Sequence, residues 1–406
     1  EKCKKYWFDF LESANCIDTG REDVNNLYKR SVLVFKLMSD EKTGGLLAAP
    51  ELDEGFTRCG RYAYCWGRDA AFITGALDSS GLTQAVDKFY DWAVQTQDDN
   101  GAWYQRYHMD GNLAPSWGLQ IDETGTLIWG MFKHYEVTQD KEFLEKVWES
   151  VKRGTEFLVE FKDSETGLPS PSFDLWEERM GEHTYSSCSV YGGIKAASQI
   201  AAILNKDHQL IKKWESTAGD LKEAIIQNFW RDEAGRFIRS VRTKLNPWGG
   251  EPSEHTTIVK VNPKGYYRDV TLEDWMIDVS ILGTAIPFGV FDVNDEKVIR
   301  TVEAIEHALT SHSVGGIKRY ESDNYVGGNP WVLTTLWVAL YYIEKKEFQK
   351  AKEYFEWAVK SRTYLGLLPE QVSKENGQPA WVIPLTWSHA MFVLVLSGLK
   401  EAGQII

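Results

Sequence analysis

Two stretches of this 406-residue chain carry side chains that could break a bond together. The first is Phe173-Asp174-Leu175-Trp176-Glu177-Glu178-Arg179, in a gap between helical segments. Neighbouring carboxylates resist ionising together, so this spacing predicts a raised pKa for one of them. A carboxylic acid that keeps its proton near neutral pH is what general acid catalysis needs. Trp176 offers an apolar wall and a platform for a sugar ring. The plainer reading is a solvated charge cluster at the start of a helix. The second stretch is Pro369-Glu370-Gln371, a glutamate between a stiff proline and an amide. Two opposed carboxylates are the minimal equipment of a glycosidase. A wide gap between them admits a water and gives inversion, and a narrow one gives a covalent intermediate and retention. The sequence leaves that gap open.

Other residues around these stretches suit a polar, aromatic pocket. Tyr62, Trp66, Arg68 and Asp69 close one long connection. The Arg-Asp pair suits a grip on sugar hydroxyls, with a helix N-cap as the structural alternative. A second connection carries Trp103 to Tyr107 and then Trp117-Gly118-Leu119-Gln120. A fourth holds Trp248 and Gly265-Tyr266-Tyr267-Arg268-Asp269. A fifth holds Arg319-Tyr320 and Asn329-Pro330-Trp331, and a sixth ends in Leu385-Thr386-Trp387-Ser388-His389. The chain has 17 Trp, and their recurrence in connections is harder to assign to core packing than any single one.

The elements that must position these residues are helical. Apolar periodicity predicts helices over about 23–38, 69–79, 82–96, 123–137, 141–161, 189–204, 209–229, 272–282, 295–310, 330–343, 347–361 and 388–402. The only convincing strand pattern covers 235–244, as a hairpin in a loop. Long connections (40–68, 97–122, 162–188, 230–271, 311–329 and 362–387) alternate with shorter turns. Long loops are usually functional. Six antiparallel hairpins place all of them at one end, and closing the hairpins into a ring gives an all-α (α/α)6 barrel with a pocket at one mouth. The chain starts at Glu1 rather than at a methionine, so 1–22 reads as a lead-in behind a missing upstream segment, with a single catalytic domain over 23–406.

Composition narrows the function classes. Lys plus Arg number 45 against 59 Asp plus Glu, a net charge of -14 that argues against nucleic-acid or anionic-membrane surfaces. No apolar run approaches the roughly 18 residues of a spanning helix. The five cysteines (Cys3, Cys16, Cys59, Cys65 and Cys188) are too sparse for a disulfide framework. No CxxC, clustered His or DDxxD motif points to a metal, and no cofactor is expected. The odd cysteine count and the lack of N-x-S/T sites lean towards the cytoplasm. Nothing here bears on oligomeric state.

Taken in order from about residue 25 to 400, these motifs resemble the catalytic domain of the glucoamylase-type glycoside hydrolases, family 15. Tyr62 to Asp69, Trp117 to Gln120, Asp174 to Glu178, Arg319-Tyr320 with Asn329 to Trp331, Pro369 to Gln371 and Leu385 to His389 each look like a motif of that family. The resemblance implies an inverting exo-hydrolase that releases β-glucose from the non-reducing ends of α-glucans. It implies Glu177 as general acid and Glu370 as the base that activates water. Arg68, Asp69 and Arg319 would hold the terminal glucose, Tyr62, Trp117, Trp176 and Trp331 would line the subsites, Glu178 would bind the next sugar, and Trp66 and Gln120 join the substrate-binding set. The upstream β-sandwich and starch-binding modules of some relatives are not visible, which fits short soluble oligosaccharides better than raw starch. The default linkage is α-1,4, with α-1,6 and trehalose as alternatives. A sugar phosphorylase and a non-catalytic glucan-binding module are the readings from other classes.

Overall fold

The computed structural model describes residues 1–53, 55, 60–244, 256–260 and 267–404, with the backbone alone at 244, 256–260 and 267–270. Trp248, Gly265 and Tyr266 from the fourth connection, and Cys59, lie outside the described residues. In chain order the α-helices are α1 (Lys2–Ser13), α2 (Glu22–Met38), α3 (Gly67–Ser79), α4 (Thr83–Thr96), α5 (Ile121–Thr138), α6 (Lys141–Glu160), α7 (Thr184–Ile203), α8 (His208–Phe229), α9 (Glu296–Leu309), α10 (Val332–Glu344), α11 (Phe348–Lys360) and α12 (Thr386–Glu401). A 3-10 helix, Val279–Thr284, precedes α9.

Two kinds of sequence make two layers. Helix α6 buries Phe143, Leu144, Val147, Trp148 and Val151 along one stripe and exposes Glu142, Glu145, Lys146 and Glu149, the pattern of a helix with one face on a core. Helix α10 buries every residue from Val332 to Ala339, the pattern of a helix with no solvent face. The all-round buried elements α3, α5, α7, the 3-10 helix, α10 and α12 pack neighbour to neighbour, and α12 closes on α3. The striped helices α2, α4, α6, α8, α9 and α11 surround them. The fold is an (α/α)6 barrel. Helices α5 and α7 approach backbone to backbone where Gly193 faces Gly125: a Cβ on Gly193 would sit 2.7 Å from the Gly125 carbonyl oxygen, so only glycine fits.

The two ends of the barrel differ. At the end with short turns, Asp140, Asp207 and Asp295 cap α6, α8 and α9, each accepting a backbone N–H two residues on. His134 is buried there, with Nδ1 2.9 Å from Asp78 and Nε2 3.1 Å from Asp87, tying α5 to α3 and α4. At the other end the N-caps of the inner helices (Trp66, Gln120, His183, Trp331 and Leu385) make no side-chain capping bond. Their positive ends open onto the long loops.

Three sequence expectations change. The helix expected over 272–282 is a strand followed by the 3-10 helix. Asp274 accepts the N–H of Met276 at 3.1 Å and Asp278 that of Ser280 at 2.8 Å, and such local turns compete with a helix. The lead-in contains α1, an exposed helix with no buried residue. The strand content exceeds the one hairpin: β1 (Ser172–Phe173), β2 (Met180–His183), β3 (Trp230–Arg231), β4 (Arg236–Phe237), β5 (Ser240–Lys244), β6 (Thr256–Lys260), β7 (Tyr267–Asp274), β8 (Gln371–Val372) and β9 (Pro379–Ala380). The largest sheet is antiparallel with order β1-β2-β5-β7-β6, so the 235–244 stretch pairs mostly with distant partners. Among the described residues no helix is long and apolar enough to cross a membrane, and no His, Cys, Asp and Glu cluster could hold a metal ion.

Candidate active site

The long loops meet in a cavity of about 270 Å³ above the inner helix N-termini. Glu177 enters it from the turn between β1 and β2. Asp174 builds that turn: its carboxylate accepts the N–H groups of Glu178 at 2.8 Å and Arg179 at 3.0 Å. Burial works against the ionised form of Asp174, but His183, Arg179 and those N–H groups hold its pKa below the usual range. Glu177 itself adopts φ 64°, a left-handed conformation disfavoured for a residue with a Cβ. The strain sits at one of the two carboxylates that this turn brings to the cavity. Trp66 Nε1 donates to Glu177 Oε1 at 2.6 Å, and Arg106 Nη1 lies 4.0 Å from Oε2. Burial raises the Glu177 pKa, against the pull of Arg106 and Arg68. The rise therefore comes from burial rather than from the adjacent carboxylate, because Glu178 turns to other partners. Arg319 Nη2 donates to Glu178 at 3.0 Å, and Arg179 Nη1 and Tyr320 Oη each donate at 2.6 Å.

Glu370 comes from the loop before β8. Its carboxylate accepts from Tyr62 Oη at 2.6 Å and from Gln371 Nε2 at 2.8 Å. Burial pushes its pKa up to about 7, against those hydrogen bonds and Arg319. The rings that hold the two carboxylates, Tyr62 and Trp66, have centroids 6.3 Å apart. Glu177 and Glu370 thus reach one cavity beside an aromatic pair, with separate hydrogen-bond partners.

Three arginines are fixed around them. Arg68 starts α3 and is clamped by Asp122 at 2.9 Å, Glu123 at 3.1 Å and Asp69 at 3.5 Å. Burial raises the Asp69 pKa to about 6. Arg319 donates through Nε and Nη2 to Asp323, each at 2.8 Å, and lies 4.8–5.2 Å from the rings of Tyr325, Trp331, Tyr320 and Trp176. Arg106 lies 4.7–5.3 Å from Trp117, Tyr64 and Trp66. Trp176 is held from behind by Asp278, which accepts its indole N–H at 3.0 Å. Asp69 Oδ1, Trp331 Nε1 and Trp387 Nε1 in this wall have no hydrogen-bond partner, and such groups call for an explanation in a folded protein. Polyhydroxylated ligands are what such a mixed wall of rings, carboxylates and fixed guanidinium groups can bind.

Of the residues named from sequence, Tyr62, Trp66, Arg68, Asp69, Trp117, Trp176, Glu177, Glu178, Arg319, Trp331 and Glu370 all line this cavity. Gln120 does not: it is fully buried under the wall, with Nε2 donating to the Asp174 carbonyl. Arg61, Arg106, Tyr325 and Trp387 line the cavity as well. Arg106 and Trp387 stood in motifs already singled out, while Tyr325 carried no signal beyond its place between Arg319 and Trp331.

The family model described as Glycosyl hydrolases family 15 matches residues 22–397. An uncharacterized glycosyl hydrolase from Methanocaldococcus jannaschii is 35% identical over 96% of this chain and 59% of its own length. Trehalase 2 from Sulfolobus acidocaldarius is 23% identical over 93% of this chain and 64% of its own. Isomaltose glucohydrolase from Kribbella flavida is 24% identical over 83% of this chain and 84% of its own. The chain thus spans 59% and 64% of the length of the first two. Among solved structures, a bacterial glucoamylase complexed with acarbose aligns with TM-score 0.74 at 21% identity, covering 98% of this chain and 58% of that one. Glucoamylase from Saccharomycopsis fibuligera aligns with TM-score 0.73 at 16% identity, covering 97% and 98%. These structures share the fold.

Proposed function

The chain belongs to family 15 of the glycosyl hydrolases, and from that premise we propose that it is an exo-acting, inverting glucoside hydrolase that frees β-glucose from the non-reducing ends of short α-linked gluco-oligosaccharides. Residues 23–406 are its catalytic unit. One observation carries the reading: Glu177 and Glu370 enter one cavity from different loops, each on its own aromatic hydrogen-bond partner.

In this mechanism Glu177 gives its proton to the glycosidic oxygen as the C1–O bond breaks. Glu370 takes a proton from a water whose oxygen bonds to C1 from the opposite face. The products are glucose of inverted configuration and the shortened alcohol, and Glu177 and Glu370 then exchange protons with solvent. Arg68, Asp69 and Arg319 hold the terminal ring through directional hydrogen bonds. Trp176, Trp331, Trp66 and Tyr62 stack on it and exclude water, and Trp117 and Glu178 meet the next sugar.

The default linkage is α-1,4. The relatives named trehalase and isomaltose glucohydrolase support a second reading, in which the second sugar is joined through its own anomeric carbon or through O6. The test is glucose release from maltotriose, isomaltotriose and trehalose, followed by NMR fast enough to see the new anomer, with Glu177→Gln as the control. β-Glucose from one of the three supports the mechanism and identifies the linkage. α-Glucose would make Glu370 a nucleophile, and no glucose from any of them would overturn the hydrolase reading.

A further inference from the structure

The bond from Tyr62 to Glu370 is the last link of a longer chain. Tyr325 Oη lies 3.0 Å from Tyr62 Oη, and Trp381 Nε1 donates to Tyr325 Oη at 2.9 Å. Trp381 stands edge-on to Tyr325, with centroids 5.9 Å apart and planes at 83°. Each end of this chain has a single role, since an indole N–H only donates and an ionised carboxylate only accepts. Each phenol between them has one proton. The direction is therefore set throughout: Trp381 donates to Tyr325, Tyr325 to Tyr62, and Tyr62 to Glu370.

Resting on the reading of Glu370 as the base, we propose that Tyr325 and Trp381 are positioning residues that keep Glu370 ionised by fixing the direction of this hydrogen-bond chain. A proton on Oε1 along the Tyr62 bond would make Tyr62 turn its own proton towards Tyr325. Tyr325 would then turn its proton out of the chain, since its oxygen already faces Trp381. A proton anywhere else on the carboxyl would leave Tyr62 donating to a neutral, weaker acceptor. Protonating the carboxylate therefore breaks or weakens an aligned bond that the ionised state keeps at full strength. Aligned hydrogen bonds in a low-dielectric wall polarise and strengthen one another.

The remaining surroundings of Glu370 leave it sensitive to this bias. Gln371 donates to its other oxygen, and Arg319 favours its charge. Burial and the Asp323 carboxylate oppose it, although Asp323 is itself paired with Arg319. A second observation fits a maintained geometry. The backbone is left-handed at both supports of the chain, with φ 64° at Trp381 and 50° at Val326, the neighbour of Tyr325. Such conformations persist where the surroundings enforce them.

The test uses α-D-glucosyl fluoride, whose leaving group departs without a proton, in the Glu177→Gln background. The acid limb of turnover then reports Glu370 together with Asp69, whose pKa of about 6 adds a component common to the parent and the variants. Tyr325→Phe is expected to move the midpoint of this limb up by about one pH unit, and Trp381→Phe by roughly half of that. A midpoint unmoved in either variant overturns the proposal, and so does a loss of rate that is equal at every pH. The underlying reading fails separately: the Glu177→Gln/Glu370→Gln double variant would then hydrolyse the fluoride as fast as Glu177→Gln alone, whatever the other two variants do.

Discussion

The two ends of the barrel use the same side-chain types for opposite ends. At the short-turn end, His134 and Asp78 are buried, point at each other and have their partners. At the mouth, carboxylates and indoles are equally buried, but Trp331 Nε1 and Trp387 Nε1 have no hydrogen-bond partner and Glu177 sits on left-handed backbone. Three outer helices, α6, α8 and α9, take an aspartate cap, whereas the inner α-helices leave their positive ends towards the loops. The lesson is that burial and charge alone do not mark a site. Convergence does: at the mouth the carboxylates, guanidinium groups and rings line one cavity, whereas His134 and Asp78 are taken up by each other.

The largest effect that would test this contrast is at the mouth. Glu177→Gln and Glu370→Gln should each lower kcat by about a thousandfold or more on a natural glycoside, while circular dichroism and melting temperature stay near those of the parent. Wild-type rates in both would erase the contrast. Arg319→Lys should lower kcat/KM by roughly a hundredfold, because lysine cannot reproduce the fork on Asp323 and Glu178. Proton control sharpens the same end. In the proposed role as base Glu370 must be ionised, so with its pKa at about 7 its contribution should rise with pH through neutrality and fall below it. The acid must be protonated, so the raised Glu177 pKa carries activity above the usual carboxylate range before it is lost at higher pH.

At the other end the expected losses are of stability, not turnover. His134→Ala strands Asp78 and should destabilise the fold by about 3 kcal/mol, seen in denaturant midpoints, with kcat per folded molecule unchanged within about twofold. The smallest effect is its pH dependence. Burial pulls the His134 imidazole down, but Asp78 and Asp87 outweigh it and leave its pKa above the ordinary 6.5. A raised histidine stabilises the fold below its unfolded pKa, and that stabilisation fades as pH rises through the folded value. Melting temperature should therefore fall as pH rises above about 6.5 in the parent, and less so in His134→Ala.

Much of this was legible because two signals were local. Helical periodicity and alternating loop length pick out the hairpins, and the Trp176-Glu177 and Pro369-Glu370 stretches carry their chemistry within a few residues. What was not legible depends on partners far away. Strand β7 pairs with β5 and β6, and two short aspartate turns replace the helix expected over 272–282. The place of Arg106 comes from rings at Tyr64, Trp66 and Trp117. Gln120 lies close to Trp117 in sequence, yet as the residue before α5 it faces the floor of the wall rather than the cavity. Spacing along a chain does not say which side of a loop a residue turns to.

The cage around Arg319 has a thermodynamic consequence. A free arginine side chain holds about 2 kcal/mol of rotamer entropy, and a binding site must remove it if the guanidinium is to grip a ligand. Here two hydrogen bonds to Asp323, one to Glu178 and four surrounding rings have removed it before any sugar arrives. Ligand entry then freezes the ligand and little else. A pocket of this kind would select by shape: a ligand with one polar group in the wrong place would meet donors already held by other partners.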